Sequence, residues 1–392
     1  MKNKKYELIA PAGDMPSFVA AVNAGADAIY FGLKEFNMRD NAKNFTLSEL
    51  NEIQKYKVKK YLTLNTIIFD NEIKKIEKLI KKVKGKIDAI ICWDFSVIEL
   101  CKKYKIPFHI STQASVANIE AAKFYKKLGA SRIVLARELN LKQIKKISKI
   151  IEVECFIHGA MCVAESGRCF TSQFLFGKSA NRGKCLQPCR REYKITDEEG
   201  NELKLKNNFV MSAKDLCTLP FFDKLKKAGI KAFKIEGRNR DADYVDIVTR
   251  VYREAIDTNL KEKRKKELMN ELESVYNRKF SSGFYIKSPT SDDFTNIRGS
   301  NAKKKKIIVG KVINYLNKKK VVIIKITASG FKLGDELIIE GNKTGVIRLK
   351  VKSMQQNHKP IKKADKKELV AVGCDKQARE NDDVFKVIEV NK

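Results

Sequence analysis

The stretch ECFIHGAMCVAESGRCFTSQFLFGKSANRGKCLQPC (residues 154–189) begins within an apolar segment and continues as a polar, cysteine-rich loop. The apolar segment VECFIHG (153–159) has the length and the valine, phenylalanine and isoleucine content of a buried parallel strand. The loop that follows has little apolar periodicity, and it holds four of the nine cysteines of the chain. We interpret this loop as the chemical centre of the protein, with the rest of the chain built to hold it.

Seven more short apolar segments alternate with longer amphipathic ones across the first 240 residues. They lie at residues 6–12, 28–32, 61–65, 88–94, 107–112, 132–137 and 232–237. Eight buried strands with interleaved helices predict an α/β fold, a closed (β/α)8 TIM-like barrel over residues 1–286. An open doubly wound sheet is the alternative, but it usually carries a glycine-rich turn after the first strand. Here that turn is PAGD (11–14), with one glycine.

Helix starts and one long insertion refine this picture. Asp14 is a predicted N-cap, and Thr46 with Glu49 forms a predicted capping box. Residues 159–230 separate the seventh strand from the eighth, which is far longer than an ordinary connection, and such loops are usually functional. Since loops after barrel strands form the catalytic face, the cysteine-rich insertion is expected at the barrel mouth. Within it, residues 194–212 predict a β-hairpin with Gly200 at its turn.

The C-terminal part of the chain has a different pattern. Residues 287–306 are polar without periodicity and predict a linker. Residues 307–392 contain short apolar segments separated by turn residues, which predicts a small antiparallel β-barrel.

Charge and composition limit the partners. Lysine and arginine number 80 against 47 acids, which gives a net charge of +33. Such a field favours a polyanion such as tRNA or another RNA, although a general use of lysine as a solvating residue explains it equally well. No apolar run approaches the ~18 residues of a membrane span, so we expect a cytoplasmic protein with no membrane partner. The sequence leaves the oligomeric state open.

The cysteine spacing favours a cluster over a zinc knuckle. Structural zinc sites use two close cysteine pairs, and here only Cys185 and Cys189 form one. Well-separated sulfurs from different loop segments are more typical of an iron–sulfur cubane. We therefore predict Cys162, Cys169, Cys185 and Cys217 as ligands, with Cys189 as the alternate. Free or structural thiols are the competing interpretation.

Polar residues at strand ends supply further candidates, because catalytic groups on barrels come from these positions. Glu236 and Arg238 flank Gly237 at the end of the eighth strand, and arginine there suits an anionic group of a substrate. His158 stands at the junction of the seventh strand and the loop, whereas His109 suits either the site or the core. The predicted catalytic set is His158, Glu236, Arg238, Asn65, Gln113 and Arg137.

Five motifs carry a resemblance to a known family. They are ELIAPAGD (7–14), ECFIHGAMCVAESGRCFTS (154–172), ANRGKCLQPCR (180–190), SAKDLC (212–217) and FKIEGR (233–238). On these residues the chain resembles peptidase family U32, the collagenase-like peptidases, and it is most similar to the tRNA hydroxylation branch. The resemblance covers residues 6–258, and the C-terminal segment resembles the family's own C-terminal domain.

This resemblance implies two activities. The peptidase name implies hydrolysis, but the chain has neither an H-E-x-x-H nor a G-x-S-x-G motif, and only a cysteine–histidine pair would remain. The tRNA branch implies oxygen-independent formation of 5-hydroxyuridine at the wobble position, with prephenate, a small anionic co-substrate, as the hydroxyl source. Other branches imply hydroxylation of rRNA or of a quinone precursor. A [4Fe-4S] cluster is implied on Cys162, Cys169, Cys185 and Cys217.

Overall fold

Eight parallel strands close into a ring in the computed structural model, which describes residues 5–203 and 208–390. Consecutive strands pair in order, and β9 pairs with both β1 and β7, which confirms the predicted (β/α)8 barrel. Each predicted strand overlaps an observed one. The strands are β1 (Glu7–Pro11), β2 (Ala28–Phe31), β3 (Lys59–Thr63), β4 (Ala89–Cys92), β5 (Phe108–Ile110), β6 (Arg132–Val134), β7 (Val153–Gly159) and, after an inserted β8 (Asp215–Cys217), β9 (Ala232–Ile235).

Helices cover the outside of the ring, and local capping fixes where they begin. Asp14 accepts a hydrogen bond from the Ser17 amide at 3.0 Å, and Thr46 and Glu49 form the predicted capping box. The helices are α1 (Met15–Asn23), α2 (Leu47–Ile53), α3 (Ile73–Val83), α4 (Phe95–Tyr104), α5 (Ile119–Lys127), α6 (Leu141–Ile147), α7 (Thr171–Phe176), α8 (Phe222–Lys227), α9 (Ala242–Asp257) and α10 (Glu262–Ser274). No helix in the described ranges is both long and apolar enough to cross a membrane.

The amino-terminal half of the barrel interior is filled by a chain of buried ion pairs. We call it the lower layer; it consists of Glu7, Arg132, Glu154 and Lys234. Arg132 pairs with Glu7 at 2.7 Å and with Glu154 at 3.3 Å, and Glu154 pairs with Lys234 at 2.6 Å. Glu154 has no exposed side-chain area. The four residues neutralise one another, so their charges can be buried together at the bottom of the barrel.

The insertion between β7 and β9 contributes α7, β8 and α8. Strand β8 pairs antiparallel with β7, and β10 (Phe280–Ser281) pairs with β8 in parallel. Thr196 and Glu202 form an antiparallel bridge around a turn in which Gly200 has φ 86°, as the predicted hairpin requires. Residues 204–207 of that hairpin lie outside the described residues.

The C-terminal strands form two antiparallel sheets, which confirms the predicted strand class. In the larger sheet the order is β15-β14-β20-β11-β12-β19-β16-β17, and β13 pairs with β18. The first of these strands begins at Lys304, three residues before the predicted boundary. The strands are β11 (Lys304–Leu316), β12 (Val321–Ile326), β13 (Phe331–Lys332), β14 (Glu336–Gly341), β15 (Gly345–Lys350), β16 (Met354–Gln356), β17 (Lys359–Pro360), β18 (Lys363–Ala364), β19 (Leu369–Gly373) and β20 (Asp383–Glu389).

This C-terminal domain packs on the outside of the barrel against α1 and α9. Ala20, Ala242, Ile338 and Val346 form one buried apolar cluster across the contact. Gly345 lets the backbones approach, because a Cβ there would lie 2.9 Å from the Ala20 amide nitrogen. The contact therefore joins α1 and α9, the helices that follow the first and the eighth strand of the ring.

Candidate active site at the mouth of the barrel

A cavity opens where the barrel strands end, and its walls come from most of the loops at that face. It has about 1310 Å³ of empty space, including the part open to solvent. Five of the six predicted catalytic residues line it together: Asn65, Gln113, Arg137, Glu236 and Arg238. The predicted mouth position of the insertion is also observed, because the cavity is covered by residues 160–190.

Four charged residues form what we call the upper layer of the interior: Arg39, Arg137, Glu236 and Arg238. Arg39 donates to the Glu236 carboxylate at 2.8 Å, and the Tyr30 hydroxyl donates to it at 3.2 Å. Burial raises the pKa of Glu236, but Arg39, Arg137 and Arg238 outweigh burial and hold that pKa at about 2. Glu236 is thus a permanent anion whose role is to hold cations.

Arg238 is almost completely buried and is held by polar groups from the end of β3 and from the loop after β2. It donates to Thr63 at 2.8 Å, to Asn44 at 3.0 Å and to Asn37. Burial lowers the pKa of Arg238 to about 10. Its Nε atom is buried and has no partner among the described residues.

Arg137, like Arg238, has a guanidinium group whose hydrogen-bond donors are only partly used. One of its nitrogens donates to the Ala160 carbonyl at 2.8 Å, and its guanidinium lies 4.0 Å from the centre of the Phe156 ring. Its Nε has no partner among the described residues. Two arginines in one cavity, each with a buried Nε that has no partner among the described residues, have the chemistry to hold an anionic group.

Side-chain amides occupy the wall next to this arginine pair. Asn65 accepts from the Met38 amide at 3.2 Å, and its Nδ2 lies 3.4 Å from the Ser111 hydroxyl. Gln113 accepts from Ser111 and touches Gly167, where a Cβ would lie 2.6 Å from Gln113 Cγ. Gly167 also has φ 79°, so the insertion can approach this wall only with glycine at that position.

Four cysteines of the insertion line the outer part of the same cavity: Cys162, Cys169, Cys185 and Cys189. The Cys169 amide donates to the Asn181 side chain at 2.9 Å. Arg190, next to Cys189, donates to the carbonyl of Ala213 at 2.6 Å and so fixes the end of this cysteine-rich segment. Burial raises the pKa of Cys189, and the charges of the other three cysteines raise it further while Arg190 opposes them. Cys162, Cys169 and Cys185 are therefore close enough to Cys189 for their charges to act on its thiol.

Cys217 is not part of this group, and its position outside the cavity contradicts its prediction as a ligand beside Cys162, Cys169 and Cys185. It is buried on β8, where its sulfur lies 3.7 Å from the Tyr252 hydroxyl and 3.8 Å from the Met269 sulfur. Burial raises the pKa of Cys217 to about 11. The reason is topological: β8 runs antiparallel beside β7 and carries Cys217 towards α9 and α10, away from the mouth.

His158 is also outside the cavity, which contradicts its prediction as a catalytic residue. It packs against Tyr252, Tyr244 and Phe280, and burial lowers its pKa to about 3. The cause is a β-bulge: Phe156 is opposite Lys234, whereas His158, two residues on, is opposite the next residue, Ile235. The extra residue turns His158 to the outer face of the strand.

His109 lies inside the barrel, but below the cavity. It makes an edge-on contact with the Tyr61 ring at 4.7 Å, and burial lowers its pKa. Of the two positions that the sequence left open for His109, the site and the core, the structure shows the core.

Comparison with known proteins decides the family. A model described as peptidase family U32 matches residues 13–295. This chain belongs to peptidase family U32. An uncharacterized protease of Methanocaldococcus jannaschii is 42% identical over 97% of this chain and 97% of its own length. A collagenase of Porphyromonas gingivalis is 37% identical (98% and 99%), and tRNA hydroxylation protein P1 of Bacillus subtilis is 36% identical (85% and 83%).

The donor set of this U32 protein fits an iron–sulfur cluster in its chemistry. Four cysteines reach one cavity, and thiolates are the ligands of such clusters. Within the described residues, no three histidine, cysteine or acidic side chains stand close enough to hold a single metal ion. The thiols are thus not arranged as a compact mononuclear site, in which each sulfur is about 2.3 Å from a zinc ion.

Three cavity residues of the U32 barrel were missed in the sequence: Arg39, Tyr30 and Lys234. Two of them had a usable signal. Alternate residues of a barrel strand face inward, so Lys234 shares the inner face with Glu236, and Tyr30 occupies an inner position on β2. Arg39 had no such signal, because it lies in the irregular loop after β2.

Proposed function

We propose that this protein is an RNA-modifying enzyme that hydroxylates the wobble uridine of tRNA to 5-hydroxyuridine without molecular oxygen. It would use a [4Fe-4S] cluster and a small anionic co-substrate such as prephenate, and it would act in the cytoplasm. One observation carries the proposal: the four-cysteine group and the arginine pair with free donors line a single cavity. The name of the Bacillus subtilis relative supports RNA hydroxylation.

In this proposal Cys162, Cys169, Cys185 and Cys189 would hold the cluster, which supplies one-electron transfer when bound. Arg137 and Arg238 would bind the carboxylate groups of the co-substrate through their unused Nε donors. Glu236 keeps Arg39 in place and neutralises part of the positive charge.

A peptidase is the second candidate, and the names of two relatives favour it. The described lining of the cavity, however, contains no histidine and no aspartate. Its single acid, Glu236, has a pKa of about 2 and is engaged by Arg39, so it is a poor general base near neutral pH. The cavity therefore supports hydroxylation better than hydrolysis.

The test compares two single variants, Cys189→Ser and Cys217→Ser, purified without air. We expect wild type and Cys217→Ser to carry iron and sulfide with broad visible absorbance, and Cys189→Ser to lose most of both. Each gene is then returned to a strain that lacks it, and tRNA nucleosides are measured by mass spectrometry. Restoration of 5-hydroxyuridine by wild type and Cys217→Ser, but not by Cys189→Ser, supports the proposal.

Other results would reject it. Unchanged tRNA nucleosides in the deletion strain would exclude tRNA as the substrate. A change confined to rRNA or quinone precursors would move the function to one of those substrates. Cleavage of gelatin by wild type, lost in Glu236→Gln, would support the peptidase.

A further inference from the structure

The insertion presents large aromatic side chains to solvent at the edge of the cavity. Phe170 is 59% exposed and Phe174 is 81% exposed, and their rings stack 5.8 Å apart at 22°. The next residue, Leu175, is 56% exposed. A contiguous exposed patch of this kind on a folded protein usually marks an interaction site.

This patch adjoins the cavity directly. Phe170 stands between Cys169 and Thr171, and both of these line the cavity. The amide of Cys169 is also fixed by Asn181, so the backbone under Phe170 is anchored and the ring is not free to fold inward.

The patch continues on the other side of Asn181. Arg182 follows it in the chain, and its guanidinium lies 4.7 Å from the centre of the Phe69 ring. Phe69 is 54% exposed and comes from the loop after β3. Arg182 is held in this position by an ion pair with Glu72. Asn181 precedes Arg182 and bonds the residue before Phe170, so the two pairs, Phe170–Phe174 and Phe69–Arg182, are neighbours at the mouth. We call these four residues the aromatic rim.

The residues around the rim include more cations than acids, and Arg168, Arg182 and Lys184 pair with Glu165, Glu72 and Asp40. Residues 160–191 contain one acid, Glu165, and six cationic residues: Arg168, Lys178, Arg182, Lys184, Arg190 and Arg191. The guanidinium of Arg191 lies 5.2 Å from the centre of the Phe176 ring. Aromatic rings interleaved with cations match the needs of single-stranded nucleic acid, whose bases stack while its phosphates pair with cations. The core of a protein–protein interface is, by contrast, depleted of charge.

We propose that the aromatic rim is a stacking surface for the unpaired bases of single-stranded RNA that flank the nucleotide in the cavity. This deepens the proposed function, because it assumes that the substrate is RNA. The bases would stack on Phe170, Phe174 and the Phe69–Arg182 pair, and the neighbouring phosphates would meet the cations. A base that leaves the stack of its neighbours could then enter the cavity beside Cys169.

The test measures affinity for a fluorescently labelled RNA hairpin with an unpaired loop, by anisotropy, on the full-length protein purified without air. We expect Phe170→Ala and Phe174→Ala each to weaken binding by roughly 5- to 150-fold, the range for loss of one base–aromatic stack. Phe124→Ala is the matched control: Phe124 is 52% exposed on α5, away from the mouth, and its loss is expected to leave affinity unchanged. A blunt RNA duplex of equal length should not distinguish the three variants from wild type.

Equal hairpin affinity of wild type, Phe170→Ala and Phe174→Ala would overturn the inference. So would a loss confined to the oligomeric state, measured by light scattering, because the patch would then be a contact between protein chains. Rim-dependent hairpin binding without any RNA hydroxylation would leave the rim as an RNA surface and reject the proposed reaction alone. Thermal unfolding of each variant shows whether a loss of binding reflects a loss of fold.

Discussion

The lower and upper layers of the barrel interior contain similar charged residues but satisfy them differently. In the lower layer, Arg132, Glu154 and Lys234 are paired within the protein at 2.6–3.3 Å. In the upper layer, Arg137 and Arg238 each keep a buried Nε without a partner among the described residues. Burying such groups unpaired costs stability, so unused donors persist where a ligand completes them. The lower layer is thus satisfied within the protein, whereas the upper layer keeps donors that fit the anion site proposed above.

The largest expected effect comes from breaking the lower layer. Glu154→Ala leaves Lys234 and Arg132 buried without their shared carboxylate, and breaking such a buried pair typically costs about 3–5 kcal/mol of unfolding free energy. Urea unfolding of wild type and variant measures it. The double variant Glu154→Leu with Lys234→Met is the control and should recover much of the loss. A single variant as stable as wild type would show that the lower layer is not structural.

A smaller effect is expected from the anion of the upper layer. The pKa of Glu236 is about 2 in the folded protein against 4.5 for an ordinary glutamate. A lowered pKa stabilises the fold fully above pH 4.5, and this contribution is lost as the pH falls through about 2. Glu236→Gln should therefore be less stable than wild type at pH 7, by up to about 3 kcal/mol, with the difference shrinking below pH 4.5. A difference independent of pH from 7 to 2 would contradict this.

The smallest expected effect on the fold, but a clear one on binding, comes from Arg137→Met. It removes a cation with an unused donor, so thermal stability should change little. Affinity for a small dicarboxylate such as prephenate should fall about 10- to 100-fold, the typical value of a hydrogen bond to a charged group. Isothermal calorimetry measures it. Arg240→Met is the control, because Arg240 stacks on Tyr276 outside the cavity and should not affect binding. Equal losses for both variants would remove Arg137 from the site.

The barrel and its insertion were predictable from the apolar pattern of each strand and from the order of strands and helices along the chain. Buried parallel strands are apolar on both faces, and the count of eight with one long gap gave the closed ring and the open mouth. The cavity residues at strand ends, such as Asn65 and Glu236, followed from the same geometry. The position of the first residue after a strand is set by the strand itself and does not depend on the conformation of the loop that follows.

The errors arose where the chain departs from regular geometry. His158 was expected at the site because it stands at the junction of the seventh strand and the loop, but a single bulged residue turns it to the outer face of the strand. Cys217 was expected at the mouth because it follows the other cysteines in sequence, but the added strand β8 carries it to the outer layer. A single-residue bulge and a strand of three residues are both too short to produce a recognisable pattern of apolar and polar residues in the sequence.

The packing of the C-terminal domain has a consequence for the order in which the protein is made. It contacts the first and last helices of the ring together, and Asn23 on α1 donates to the Thr344 carbonyl, 321 positions later, at 3.3 Å. Chains are synthesised from the N-terminus and their domains tend to fold as they emerge. Here the seam between the two ends of the barrel lacks its outer cover until β15 has left the ribosome. A strand that is synthesised more than 300 residues after the first helix therefore completes the packing of that helix.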